Sequence, residues 1–294
     1  MAEPYEQYVL CDLCGADEGE QIARRGGACY VRCRVCGFIY ANPRISDPVA
    51  DNERSFAAGR QQYVEAHYSR RKQRAYRRVL RRFRRFRKTG RLLEIGSNVG
   101  GFVYRARQMG WQPVGVEPVD CCARYAREQH GLEVISSTLE EAGLEDNAFD
   151  VVFSNAVFEH LVSPRRVLAE AVRVLRPGGV IYTKTVNYDS YTRERMGDEW
   201  RLMNPLGHVC LFTAETLKRY YAQAGLKILK VRSTGFRQPG RGNLVARCIR
   251  KPSLSVLARF TMKGDRIVVL GQKPSLAAAA GGGTQSGASV VQAT

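Results

Sequence analysis

No apolar run in the 294-residue chain exceeds a handful of residues, which excludes a membrane-spanning helix of about 20 apolar residues. The opening MAEPYEQYVL lacks the charged-then-apolar layout of a secretory leader, so the expected location is cytoplasmic. No repeat at a period of about 20–50 residues is visible, which excludes a solenoid or a propeller. Acids are scarce: 28 Asp+Glu face 46 Lys+Arg, a net charge of +18 that favours anionic partners. The last twenty residues, SLAAAAGGGTQSGASVVQAT, carry neither charge nor aromatic and cannot bury enough surface to offset the entropy of ordering. What is present is 44% hydrophobic residues, enough over this length for one large domain with an appendage.

Five of the nine cysteines fall within the first 36 residues. Cys11 and Cys14 form one CxxC pair; after eighteen residues Cys33 and Cys36 form a second, each followed by a glycine that permits a tight knuckle turn. This is the spacing of a four-thiolate zinc ribbon. Four thiolates leave no position for water, so the expected Zn2+ is structural, and a chelator should unfold residues 1–45 alone. Cys29, Cys121, Cys122, Cys210 and Cys248 have no partner spacing and read as packing residues.

From residue 91 onward, strands and helices alternate. Expected strands are 91–95, 113–117, 132–135, 149–154, 180–183, 227–232 and 243–249. Between them lie a helix over 102–109 stopped by Gly110, one over 120–130 ended by Gly131, one from Pro164 to Arg176, and one capped by Thr213. The fold class that follows is α/β: a doubly wound, Rossmann-like seven-stranded sheet with a small N-terminal zinc ribbon. The expected organisation is ribbon 1–45, basic helical linker or lid 46–90, cofactor-binding domain 91–251, C-terminal extension 252–274 and disordered tail 275–294.

Where the first strand turns into its helix, the chain reads Glu94-Ile95-Gly96-Ser97-Asn98-Val99-Gly100-Gly101. Glycine there lets backbone approach a ligand, and the helix start offers free N–H groups. Glu117, 21 residues beyond Gly96, ends the second strand, where a carboxylate can accept both ribose hydroxyls. The segments LLEIGSNVGGF, VGVEP, FDVVFSNAVFEHL, VLRPGG and FTAETLKRYYAQAGL resemble, in order and spacing, the class I S-adenosylmethionine-dependent methyltransferases over about residues 90–250. The resemblance implies that Glu94, Gly96, Ser97 and Gly100 surround the amino-acid end of S-adenosyl-L-methionine. It implies further that Glu117 holds the ribose, that Asn98 and Pro118 also contact the cofactor, that Thr138, Leu139 and Glu140 edge the adenine, and that Asn155 lines the loop after the fourth strand. Asn98 stands where glycine is commoner.

Methyl transfer needs a base only where the acceptor must lose a proton. His160, with Glu159 before it as a further catalytic candidate, falls at the end of the fourth strand, where ligands bind in such sheets, and an imidazole near pKa 6.5 suits a base. Ubiquinone-type O-methyltransferases, which this segment resembles, carry a Glu-His pair there. Some hold a divalent cation with an acid three positions before that Glu; Ala156 in this chain speaks against a metal-assisted step. His208, in NPLGHVCLFT, is the second candidate base, similar to a histidine in deoxysugar C-methyltransferases. His67 and His130 read as surface residues.

Between Arg70 and Arg91 lie thirteen Lys+Arg and no acid, while Tyr76, Val79, Leu80, Phe83 and Phe86 recur at helical spacing. One helix face should dock on the sheet and the other attract phosphate: RNA, an anionic membrane surface at most peripherally, or a nucleotide- or lipid-linked acceptor. The cysteine-rich opening resembles the zinc lead-in of bacterial methyltransferases of sugar and surface-polysaccharide pathways, which points to a small-molecule acceptor. The alternatives are an RNA methyltransferase, which would lack its Asn-Pro-Pro-Tyr-type motif because SNAVFEH stands there, and a non-catalytic module using ribbon and basic helix to bind a partner.

Overall fold

The computed structural model describes residues 7–25, 28–44, 48–235 and 260–275. The expected strand at 243–249, Cys248 and the expected tail from 276 lie outside them. A four-stranded sheet is built from β1 (Gly19–Arg25), β2 (Ala28–Cys33), β3 (Ile39–Ala41) and β9 (Cys210–Leu211) in that spatial order. A seven-stranded sheet is built from β4 (Arg91–Ile95), β5 (Gln112–Val116), β6 (Val134–Ile135), β7 (Phe149–Asn155), β8 (Leu175–Val186), β10 (Lys227–Thr234) and β11 (Arg266–Gln272). Its order is β10-β11-β8-β7-β4-β5-β6, with β11 antiparallel to both neighbours and the five strands from β8 to β6 parallel.

Helices cover the sheet on both sides: α1 (Pro48–Tyr68), α2 (Arg70–Phe83), α3 (Gly101–Gln108), α4 (Asp120–His130), α5 (Pro164–Val174), α6 (Tyr191–Met196) and α7 (Ala214–Gln223). Because β7 is sandwiched between helix layers, six consecutive residues of FDVVFSN are buried, the unbroken apolar run of a strand covered on both faces. On α2, Gln73, Tyr76, Leu80 and Phe83 are buried, and the Phe83 ring meets Phe153 at 6.3 Å and Tyr182 at 5.7 Å. The arginines occupy the remaining turns, which is the two-faced helix expected from the spacing. Among the described residues no helix is long and apolar enough to cross a membrane.

Four sequence expectations change. The strand that completes the sheet is Arg266–Gln272, inside the stretch expected as an extension, so the domain reaches past residue 251. Helix α5 ends at Val174, and Pro177-Gly178-Gly179, expected to stop a helix, forms a bulge within β8: register to β7 jumps from Leu175 opposite Phe149 to Val180 opposite Val151. Gly178 has φ 75°, and a Cβ on Gly179 would lie 2.9 Å from the Arg176 carbonyl, so only glycine fits there. The ribbon is not separate from the domain, because β3 pairs with β9. His67 and His130 are half-buried; burial pushes the His67 imidazole down to about 4, and His130 stacks on Tyr68 at 4.4 Å.

The bulge is organised by Asp150, which is fully buried. One carboxylate oxygen accepts the backbone N–H groups of Lys88, Thr89 and Gly90 at 2.8, 2.9 and 2.7 Å, and the other accepts from Arg176. Burial alone would raise this carboxyl; the Arg176 hydrogen bond and those from the backbone outweigh it and hold it below its ordinary value. Asp150→Ala leaves the Arg176 charge without its counter-ion and three backbone N–H groups unpaired, and is expected to cost about 3–5 kcal/mol, read as a lower urea midpoint at unchanged slope. A depressed folded pKa gives stability that is complete above the unfolded value of about 3.9 and disappears as pH falls through the folded one. The gap between wild type and variant should therefore narrow only below about pH 4.

Candidate functional site

The β4–α3 loop is a tight bend held by its neighbour strand: Gly96 and Ser97 donate backbone N–H groups to the Val116 carbonyl at 2.9 and 3.1 Å. Gly96 has φ 66°, and a Cβ there would lie 2.5 Å from Val157 Cγ2. Asn98 also takes a left-handed conformation, φ 50°, and its own Oδ1 accepts the Val99 N–H at 2.8 Å. Asparagine tolerates that region better than most residues, which is how it serves where glycine is commoner. Gly100, φ 77°, caps α3.

Beneath this loop the polar groups are incompletely partnered. Glu94 is buried with Oε2 unpaired, and Ser97 Oγ is unpaired as well. Burial, with a contribution from Glu117, drives the Glu94 carboxyl well above its ordinary value. A cationic ligand group beside it would relieve that cost, as the ammonium and sulfonium of S-adenosylmethionine would. Glu117 Oε2 accepts the Asn98 N–H at 2.7 Å and Oε1 accepts the Val119 N–H at 3.0 Å, leaving lone pairs on both oxygens for hydroxyls. A cavity of about 200 Å³ opens from Gly96, bounded by Pro118, Thr138, Leu139, Glu140, Val157 and His160. Of the expected cofactor residues, Gly96, Pro118, Thr138, Leu139 and Glu140 line it directly; Glu94, Ser97, Asn98, Gly100, Glu117 and Asn155 are not among its lining residues.

The two candidate bases meet. The rings of His160 and His208 lie 4.8 Å apart, nearly edge-on. His160 Nδ1 lies 2.6 Å from the Gly207 carbonyl and His208 Nδ1 lies 2.8 Å from the Leu202 carbonyl. A carbonyl only accepts, so each Nδ1 must carry the proton and each Nε2 keeps its lone pair. Glu159 departs from its expected catalytic role. Its fully buried carboxylate accepts from Thr185 Oγ1 and Arg266, each at 2.7 Å, so both oxygens are engaged away from the histidines. Burial would raise it, but interactions led by the Arg266 charge outweigh burial and keep it below the usual range. Burial lowers the His208 imidazole, keeping it neutral near pH 7. Glu159, His160 and His208 each offer a ligand atom within 4.8 Å of the others, yet both Glu159 oxygens are already bonded.

The four expected zinc ligands also converge, with ligand atoms within 4.8 Å of one another and Cys11–Cys36 and Cys14–Cys33 sulfurs 3.4 and 3.5 Å apart. Gly15 and Gly37, φ 79° and 76°, donate N–H groups to the Cys11 and Cys33 carbonyls, closing the two knuckles. Tetrahedral Zn–S bonds of about 2.3 Å place sulfurs roughly 3.8 Å apart, so the cluster fits the ion with shifts of tenths of an ångström.

Sequence reasoning missed several partners. Arg266 lies 107 positions from the Glu159 it neutralises, and Tyr30 donates to the His208 carbonyl at 2.6 Å across 178 positions. Arg25 reaches the Trp200 and Met203 carbonyls at 3.0 and 3.1 Å. No local pattern marks these residues; pairing of β11 with β8 brings in Arg266, and the ribbon's docking brings in Arg25 and Tyr30.

A family model described as a methyltransferase domain matches residues 67–231, more than half the chain. Among curated proteins, the chain is 33% identical over 116 residues to a glycine/sarcosine/dimethylglycine N-methyltransferase of Actinopolyspora halophila, covering 36% of this chain and 20% of that one. It is 32% identical over 120 residues to a ubiquinone biosynthesis O-methyltransferase of Cereibacter sphaeroides, covering 37% and 47%. The chain thus spans less than half the length of either relative. A solved SAM-dependent methyltransferase of Thermotoga maritima superposes with TM-score 0.53 at 24% identity, over 75% of this chain and 97% of that one, which is a likeness of fold.

Proposed function

The chain belongs to the methyltransferase-domain family; from that premise, we propose that it is an S-adenosylmethionine-dependent methyltransferase acting on a small-molecule acceptor whose proton is taken by a histidine. The observation that carries this reading is the pair of Nε2 lone pairs beside the cofactor cavity, with His160 forming part of its wall. When bound, S-adenosylmethionine supplies a methyl carbon already activated by the sulfonium charge, open to in-line displacement by the acceptor.

The chain's residues do the rest. Glu94 and Ser97 receive the cationic amino-acid end, Glu117 the ribose hydroxyls, and Leu139 with Pro118 the flat apolar base. Val157, pressed on Gly96, fixes the loop. With the cofactor bound, His160 Nε2 would accept the acceptor's hydroxyl proton, and the Gly207 carbonyl would hold Nδ1–H and stabilise the resulting imidazolium. His208, kept neutral by burial, adds no competing positive charge. Cys11, Cys14, Cys33 and Cys36 hold a structural Zn2+. The acceptor class we favour is a sugar or hydroxylated metabolite, lipid- or nucleotide-linked, because the α2 aromatics are buried rather than offered for base stacking, which disfavours RNA.

Calorimetry with S-adenosylhomocysteine tests the enzyme reading. Micromolar binding by wild type, weakened about 10–100-fold in Glu117→Ala, is the expected result. Absence of binding in the folded wild type would favour the non-catalytic module instead.

A further inference from the structure

A second cavity, of about 510 Å³, shares no residue with the one at Gly96. It lies where the C-terminal half of α2 faces strands β8, β11 and β10. Register puts its strand residues on one face of the sheet: Lys230 opposite Leu270, Leu270 opposite Tyr182, and Arg232 opposite Val268. Its walls carry six cations, Arg81, Arg82, Arg84 and Arg85 from the helix side and Lys230 and Arg232 from β10. Its floor is Phe83, Tyr182, Val268 and Leu270, with Val79 beside them. Among the described residues no acid, amide or aliphatic hydroxyl lines it, and its one neutral polar group, the Tyr182 hydroxyl, is held by Arg232.

This composition selects a ligand. Six cations without a counter-charge around one concavity favour an anion. Reading a nucleoside calls for hydrogen-bonding amides and a carboxylate for ribose hydroxyls, neither of which is there. A floor of aromatic and branched aliphatic side chains gains by covering hydrocarbon. The positive potential extends to the next residue on the same face of β8: burial and the nearby Arg266, Lys72 and Arg232 push Lys184 down to about 8.

We propose that this groove binds a prenyl or alkyl phosphate ester, its phosphate gripped by the arginines and Lys230 and its hydrocarbon lying on Phe83, Tyr182, Val268 and Leu270. The inference concerns a site apart from the methyl-transfer cavity and stands whether or not the ligand is the acceptor.

Calorimetry of the full chain with farnesyl diphosphate reads the proposal directly. Binding is expected, weakened about tenfold by Arg82→Gln and again by Lys230→Gln, and weakened by raised salt. Leu270→Ser should reduce affinity for farnesyl diphosphate while leaving that for inorganic pyrophosphate unchanged. Unaltered S-adenosylhomocysteine affinity in each variant shows that the fold is intact. Uridine diphosphate or inorganic pyrophosphate binding as tightly as farnesyl diphosphate would overturn the apolar half of the proposal. Displacement of farnesyl diphosphate by a short single-stranded RNA, or capture of phosphatidylserine vesicles that farnesyl diphosphate does not compete, would reassign the groove to those partners. No farnesyl diphosphate binding by folded protein would sink it outright.

Discussion

Stripping the metal with a chelator, or replacing Cys33 with serine, is expected to lower the melting temperature of the whole molecule by roughly 10–20 °C, not merely to loosen residues 1–45. Structural zinc in isolated fingers contributes about 10–16 kcal/mol of binding that is also folding free energy; if about 5 kcal/mol of it reaches the domain, a shift of this size follows. It reaches the domain because the ribbon has no core of its own. Leu13, Tyr30, Phe38, Ile39 and Tyr40 belong to one buried cluster with Phe212, Leu217 and Tyr220, and the Phe38 ring packs at 5.4 Å from Phe212 and 5.3 Å from Tyr220. Asp12 accepts from Ser163 Oγ at 2.6 Å and Arg165 N at 2.9 Å at the start of α5, and from Tyr220 at 3.0 Å. The spacing of the cysteines foretold a self-contained ribbon; the packing makes it a wall of the larger core.

Function should separate from stability in the same experiment. The ribbon grips the segment from Asp198 to Leu211 through Arg25, Tyr30 and the β3–β9 pairing, whereas the Gly96 loop rests on β5. Well below its melting temperature, metal-free protein should bind S-adenosylhomocysteine normally while turnover falls, and the Trp200 fluorescence should change as the Arg25 contact is lost. Unchanged melting with an unchanged Trp200 signal after complete metal removal would show that the cysteines hold no structural ion.

The largest expected loss of activity is that of His160→Ala: turnover lower by about 10²–10⁴ with S-adenosylhomocysteine affinity unchanged. His208→Ala should lower turnover too, by less, because it supports the base rather than carrying the proton. Turnover with the true acceptor surviving both substitutions would mean that proximity alone suffices and that the acceptor needs no base.

Much of this was legible because it is local. The glycines, Asn98 and Glu94 sit within one strand and its bend, and Glu117 follows at the spacing the fold requires. Ser163 caps α5 and Thr213 caps α7 as their positions suggested, and the cysteine knuckles announced their own geometry. What was hidden depends on chain segments far apart. The run RIVVLGQ fell in a stretch read as an extension, and only its pairing with β8 marks it as a strand of the sheet. The two-residue β9 has too little sequence to carry any periodicity, and Glu159 looked catalytic because its ion-pair partner lies on that misplaced strand.

The β3–β9 pairing also sets an order of assembly. Ile39 and Tyr40 wait for Leu211 and Cys210, about 170 positions later, so during synthesis the ribbon cannot finish its own sheet until β9 has followed. In that interval the apolar side chains of residues 30–41 have no lasting cover, and early capture of the metal would be the means by which the nascent N-terminus stays ordered and out of aggregates until its last strand arrives.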